Sequence, residues 1–243
     1  MRFGVLFCLL VTLIICSEAQ VLPDSIILKK SKENAFAIYN NVMEGNFHIY
    51  NGTEYPAYRS SHNEHPYYLT DEWTNGNIRY DGEWFTHMPM LYDIEKGMVV
   101  ISYYFKGIKM RLNTTRVQEF IFQNHHFVNL KQTADSSEMK SGFYDVLYAG
   151  KSTVLCSRSK KYFERMYDNQ ITQDFQESNQ YFLFSQGLYH RVGTKKSVLH
   201  ALTDKKKELK TFIRKNNLFT AERETSLNRV AAYYDSLKPW IEV

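Results

Sequence analysis

The chain has 243 residues, of which 44% are hydrophobic and 15% aromatic, with a formal net charge of +4. That length suffices for one large domain with its own core, and so small a net charge gives no grounds for a nucleic-acid partner. Three cysteines are too few for a disulfide-stapled scaffold, so stability must come from apolar burial.

The first residues, Met1-Arg2-Phe3-Gly4, precede an uncharged apolar run over 5–16 and then Ser17-Glu18-Ala19-Gln20. A positive start, an apolar run and small residues at −3 and −1 (Ser17, Ala19) form the three-part pattern of a secretory signal peptide, with cleavage expected after Ala19. The run falls short of the ~20 apolar residues of a spanning helix. Ile15 ahead of Cys16 argues against lipid attachment there. Removal of Cys8 and Cys16 would leave Cys156 alone, and no later segment is apolar enough to cross a membrane as a helix. The expected organisation is a signal peptide over 1–19, a β-rich domain over 20–193, and a basic helical segment over 194–243 packed on the same domain.

The exported part opens with an expected helix: Ser31 is a cap, Phe36, Tyr39, Val42 and Met43 follow the 3.6-residue period, and Gly45 is a stop. From about 47 to 73 the reading is irregular, broken by Asn51-Gly52, Tyr55-Pro56 and His65-Pro66 but dense in tyrosine and histidine; connections this long usually carry function or unrecognised structure. Strand signals follow. The segments 77–80 and 83–85 flank Asp81-Gly82, a strong hairpin signal because both turn positions need positive φ. Three more hairpins are predicted: 99–105 with 108–112, 143–148 with 151–156, and 181–184 with 188–192. Their glycines have no fixed spacing, which excludes a repeat array. A strand is predicted over 120–128 and a short helical piece over 162–168. The tail reads as helices over 197–202 and 204–216, then a third with Leu227, Val230, Ala231, Tyr234 and Leu237 on one stripe, capped by Thr220 and ended by Pro239. The expected class is α+β: an N-terminal helix, an antiparallel meander of hairpins able to curl toward a barrel, and C-terminal helices.

No catalytic motif or cofactor fingerprint is found, and no metal set is predicted. His62 and His65 are followed by Pro66, which disfavours a shared helical face, and His125 and His126 are strand neighbours that point oppositely. Cys156 lies in a strand run and reads as a small hydrophobe. Glu64, Asp71, Glu72, Asp81 and Glu83 are the carboxylates available to a glycosidase, whose chemistry needs a pair some 5–10 Å apart. Two surfaces stand out as binding candidates. Tyr55, Tyr58, His62, His65, Tyr67, Tyr68 and Trp73 could line an aromatic groove for a sugar or protein partner. Lys205, Lys206, Lys207, Lys210, Arg214 and Lys215 decorate an amphipathic helix, with Leu209, Phe212 and Ile213 inward, that could contact an anionic surface. Over 191–216, nine lysines and arginines face only Asp204 and Glu208. Asn51-Gly52-Thr53 and Asn113-Thr114-Thr115 match the N-glycosylation pattern.

Several stretches together resemble a group of exported proteins of Bacteroidetes-type bacteria to which no activity is assigned. They are Asn51-Gly52-Thr53-Glu54-Tyr55, His65-Pro66, Tyr80-Asp81-Gly82, Gly142-Phe143-Tyr144, Tyr148-Ala149-Gly150-Lys151, and above all the lysine-rich run 204–216 followed by Tyr234-Asp235. The resemblance implies a Gram-negative periplasmic or envelope location, where the glycosylation patterns would carry no weight. The leading expectation is a non-catalytic envelope protein that binds a surface component, such as a polysaccharide, or another envelope protein. The alternative is a hydrolase of an envelope glycan.

Overall fold

The computed structural model describes residues 28, 30–32, 48–56, 58, 64–103, 108–132, 139–167, 170–220 and 222–238. The signal peptide over 1–19, nearly all of the expected N-terminal helix, the turn at Lys106-Gly107, His62 and Pro239 lie outside them; Leu28 and 30–32 are helical. From His48 onward the chain forms one compact unit.

Its centre is a single antiparallel sheet of eleven strands. In chain order these are β1 (Thr53–Glu54), β2 (Thr74–Tyr80), β3 (Glu83–Asp93), β4 (Met98–Ser102), β5 (Lys109–Arg111), β6 (Val117–Phe122), β7 (His125–Leu130), β8 (Gly142–Ala149), β9 (Thr153–Tyr167), β10 (Gln170–Ser185) and β11 (Leu188–Val192). Their spatial order is β1-β5-β4-β3-β2-β6-β7-β8-β9-β10-β11. The four predicted pairings all form. At Asp81-Gly82 and Gln186-Gly187 both turn residues have positive φ, the mirror-image turn whose twist matches that of the flanking strands.

Two strand readings need correction. The run 120–128 is not one strand but a hairpin, β6–β7, reversed at Gln123 (φ 51°) and Asn124 (φ 63°) without any glycine. The helical piece expected over 162–168 is absent, because residues to Tyr167 continue β9 and pair with β10. Local propensity there is overridden by a partner strand. β9 pairs with β8 only over 153–156 and β10 with β11 only over 181–185, so the rest of this hairpin is a two-stranded ribbon.

The sheet curls without closing. Ile94 follows β3, which four strands separate from β9 in the sheet, yet its carbonyl accepts from the backbone N–H of Lys160 at 3.1 Å. Inside the curl, Tyr92 of β3, Phe120 of β6, Phe127 of β7 and Phe143 of β8 are buried with ring centroids 4.8–5.8 Å apart. Each such pair adds ~0.5–1.5 kcal/mol beyond its buried area.

Three helices follow: α1 (Lys195–Ala201), α2 (Lys206–Lys215) after a 3-10 turn over Thr203–Lys205, and α3 (Arg223–Ser236). Thr194 caps α1 through a capping box with Ser197, three residues ahead of the expected start. Glu222, not Thr220, holds the N-cap position of α3; the Thr220 hydroxyl instead donates to the Asn217 carbonyl. Val198, Leu202, Leu209, Ile213, Leu227 and Val230 form one buried cluster with Val154, Cys156, Tyr181, Leu183 and Val192 of β9–β11. No helix among the described residues is long and apolar enough to cross a membrane.

Candidate functional site

The aromatic candidates are drawn mostly into the protein. Tyr55 and Tyr67, 4% and 6% exposed, pack on Leu91 of β3 and Val100 of β4. Tyr68 is buried elsewhere, edge-on to His125 and Phe127 with centroids 5.3 Å away in both cases. His65 stacks on Tyr67, and burial lowers its imidazole pKa. The phenols of Tyr55 (2.7 Å) and Tyr58 (3.0 Å) both donate to Oδ2 of Asp93, a residue with no solvent exposure. Tyr58 also reaches Glu95 Oε2 at 2.6 Å, and its single proton serves one carboxylate at a time. Burial first, then Asp93, pushes the Tyr55 phenol far above its ordinary pKa; burial and then Glu95 do the same to Tyr58. These rings anchor the irregular segment over the sheet, with Tyr55, Tyr67 and Tyr68 buried and Tyr58 and His65 half-buried. Among the described aromatic candidates Trp73 alone is exposed, with the Lys109 ammonium 5.8 Å from its ring.

Two of the carboxylates considered for glycoside chemistry are engaged by other groups. Asp81 is held by Arg116, and Glu64 Oε2 accepts from the Phe175 backbone N–H. His125 and His126 do face apart: Nδ1 of the first meets Asp145, and Nε2 of the second meets Glu119. No group of three or more His, Cys, Asp or Glu among the described residues could hold a metal ion. Cys156 is fully buried, and burial drives its thiol pKa well up.

A cluster of charged groups lies between the sheet and α3. Arg158 of β9 donates to Asp145 of β8 through Nε and Nη2, and to both oxygens of Glu224 in α3. Tyr181 donates to the same Glu224 at 3.0 Å. Burial pushes the Glu224 carboxyl up, but Arg158 and Tyr181 outweigh it and hold it below the ordinary range. Every cation here has its anion, so this cluster ties α3 to the sheet.

The basic helices are the opposite case. Leu209 and Ile213 are buried as expected, and Phe212 stacks on Tyr233 with centroids 4.0 Å apart. Lys206, Lys207, Lys210, Arg214 and Lys215 are left exposed and Lys205 half-buried. None of these six makes an ion pair among the described residues. Of the two acids in this stretch, Asp204 is taken up by Tyr234 at 3.0 Å and Lys238 at 3.7 Å.

Sequence reasoning missed the α1 side of this surface. The turn over Thr203–Lys205 brings Lys206 back against α1, where Thr194, Lys195, Lys196, Ser197, Leu199 and His200 line the same depression of about 750 Å³. Leu199 and the lysine stems supply apolar atoms to that lining. The Thr194 and Ser197 side chains are engaged in the capping box, so the free polar atoms are ammonium and imidazole groups. Lys195 and Lys196 were visible in the charge count, but only the folded turn sets them beside Lys206.

Searches of protein-family models, curated proteins and solved structures returned no match to this chain.

Proposed function

We propose that the protein is a binding module of a cell envelope, attached through the α1–α2 surface to an anionic envelope component. The observation that carries this reading is the set of ammoniums of Lys195, Lys196, Lys206, Lys207 and Lys210 gathered on two neighbouring helices with no ion pair among the described residues. Charges left unneutralised within a Debye length of one another raise the local potential and favour an anionic partner. The export signal expected over 1–19 and the resemblance of the lysine-rich run to exported proteins supply the location.

The experiment is binding of the chain to vesicles or an acidic polysaccharide, beside neutral counterparts, over a salt series. Binding should be confined to the anionic material and weaken as salt rises. Lys206→Glu with Lys210→Glu and Arg214→Glu should abolish it with the fold intact by circular dichroism. Equal binding to neutral material, or no effect of charge reversal, would overturn the proposal.

A further inference from the structure

We infer that the depression between α1 and the start of α2 is a binding site for a phosphate-headed lipid, taking the head on its lysines and the first part of the tail on Leu199. This rests on the anionic attachment proposed above and names the ligand class. The argument is the mixed chemistry of the lining. A site for an extended acidic polymer needs only charge, displayed along a convex helix face. Here Lys195, Lys196 and Lys206 line a depression of about 750 Å³, within the ~300–1,000 Å³ typical of small-molecule sites.

The geometry separates head from tail. Lys195 and Lys196 are adjacent on α1, with Leu199 and His200 one turn later on the same side, and Lys206 closes the depression from α2. Lysine stems can extend an apolar lining while their ammoniums stay free to meet a head group. An anion in the depression meets three compact cations, and Lys binds phosphate as a point charge without demanding bidentate geometry. The hydroxyls of Thr194 and Ser197, committed to capping, offer a sugar little, which disfavours a neutral glycan here. A ligand that is all charge would leave the apolar lining wet, and one that is all tail would leave the lysines unanswered.

The test is titration of the full chain with lysophosphatidate below its micellar concentration. Glycerol 3-phosphate presents the head without a tail, and lysophosphatidylcholine presents a tail without net charge. Lysophosphatidate should bind at least ~10-fold more tightly than either, a difference of about one lost charge-assisted contact or buried tail. Lys195→Ala with Lys206→Ala should cost lysophosphatidate at least ~10-fold, whereas Lys131→Ala with Lys161→Ala, the same charge removed from β7's end and β9, should not. Glycerol 3-phosphate binding as tightly as the lipid, or indifference to the Lys195/Lys206 pair, would overturn the inference. Dextran sulfate separates the two levels. If it binds while lysophosphatidate does not, the lipid site is wrong and anionic attachment stands; if neither binds, both fall.

Discussion

Arg158 holds Asp145 through a single oxygen: Nε at 3.0 Å and Nη2 at 2.7 Å both donate to Oδ2, and Nδ1 of His125 lies 2.8 Å from the same atom. Oδ1, equally buried, has no partner among the described residues. The Nη1–Nη2 edge of the guanidinium takes Glu224, so one side chain links β8, β9 and α3.

Removing that link should be costly. Arg158→Met is expected to destabilise the fold by ~3–5 kcal/mol, because it strands two carboxylates, one of them buried, rather than because the pair is intrinsically strong. Adding Asp145→Asn to Arg158→Met should recover part of the loss, as read by urea denaturation midpoints. A single-mutant loss under ~1 kcal/mol would contradict this account of the cluster.

Acid should loosen the same junction. Glu224 has a folded-state pKa below its unfolded value, so the unfolded chain binds its proton more readily. Its contribution is therefore present above the unfolded value of ~4.3 and is lost as pH falls through the depressed folded value. Glu224→Gln should flatten the decline in melting temperature below about pH 4.5, measured against the parent chain by calorimetry.

Lys160 fixes the curl. Its ammonium donates to the carbonyls of His65 at 2.8 Å and Tyr67 at 2.9 Å, while its backbone N–H meets Ile94. Lys160→Met keeps the stem but leaves two carbonyls without their donor, and should cost ~1–3 kcal/mol in denaturant unfolding. Hydrogen exchange should rise at Tyr68 and Ile94, whose N–H groups bond across the same seam.

Asp235 ties α3 to the β8–β9 turn: both its oxygens lie 3.0 Å from the Ser152 N–H, and the Tyr148 hydroxyl donates to one of them. Asp235→Ala should lower stability by ~1–3 kcal/mol, since a buried N–H is orphaned. Asp235→Asn, which keeps an acceptor, should lose less in the same thermal melt.

Cys156 should be silent in the native chain. It has no solvent exposure and its thiol pKa is raised by burial, so iodoacetamide at pH 8 should leave it unlabelled until denaturant is added. Rapid native labelling would show that β9 opens.

The hairpins were legible because their turns are local. Asp81-Gly82 and Gln186-Gly187 announce left-handed backbone through glycine, whereas Gln123-Asn124 reaches the same conformation without it, and the strand pair it joins was read as one strand. The long β9–β10 ladder was missed at Tyr162 for the complementary reason: the partner that keeps it extended, Phe175, is thirteen residues away.

The sequence by itself determined the alternation of strands and turns, the amphipathic tail with Leu209 and Ile213 inward, and the basic excess over 191–216, since each follows from residues within a few positions of one another. The tertiary structure decided which rings are core and which charges are free. Tyr55 and Tyr67 looked available until Leu91 and Val100 covered them, and Arg158 meets Asp145 and Glu224 only in the folded chain. Lys195 and Lys206 acquired a shared depression only when a turn folded α2 against α1. Burial and pairing depend on distances between residues remote in sequence, and those distances exist only once the chain is packed.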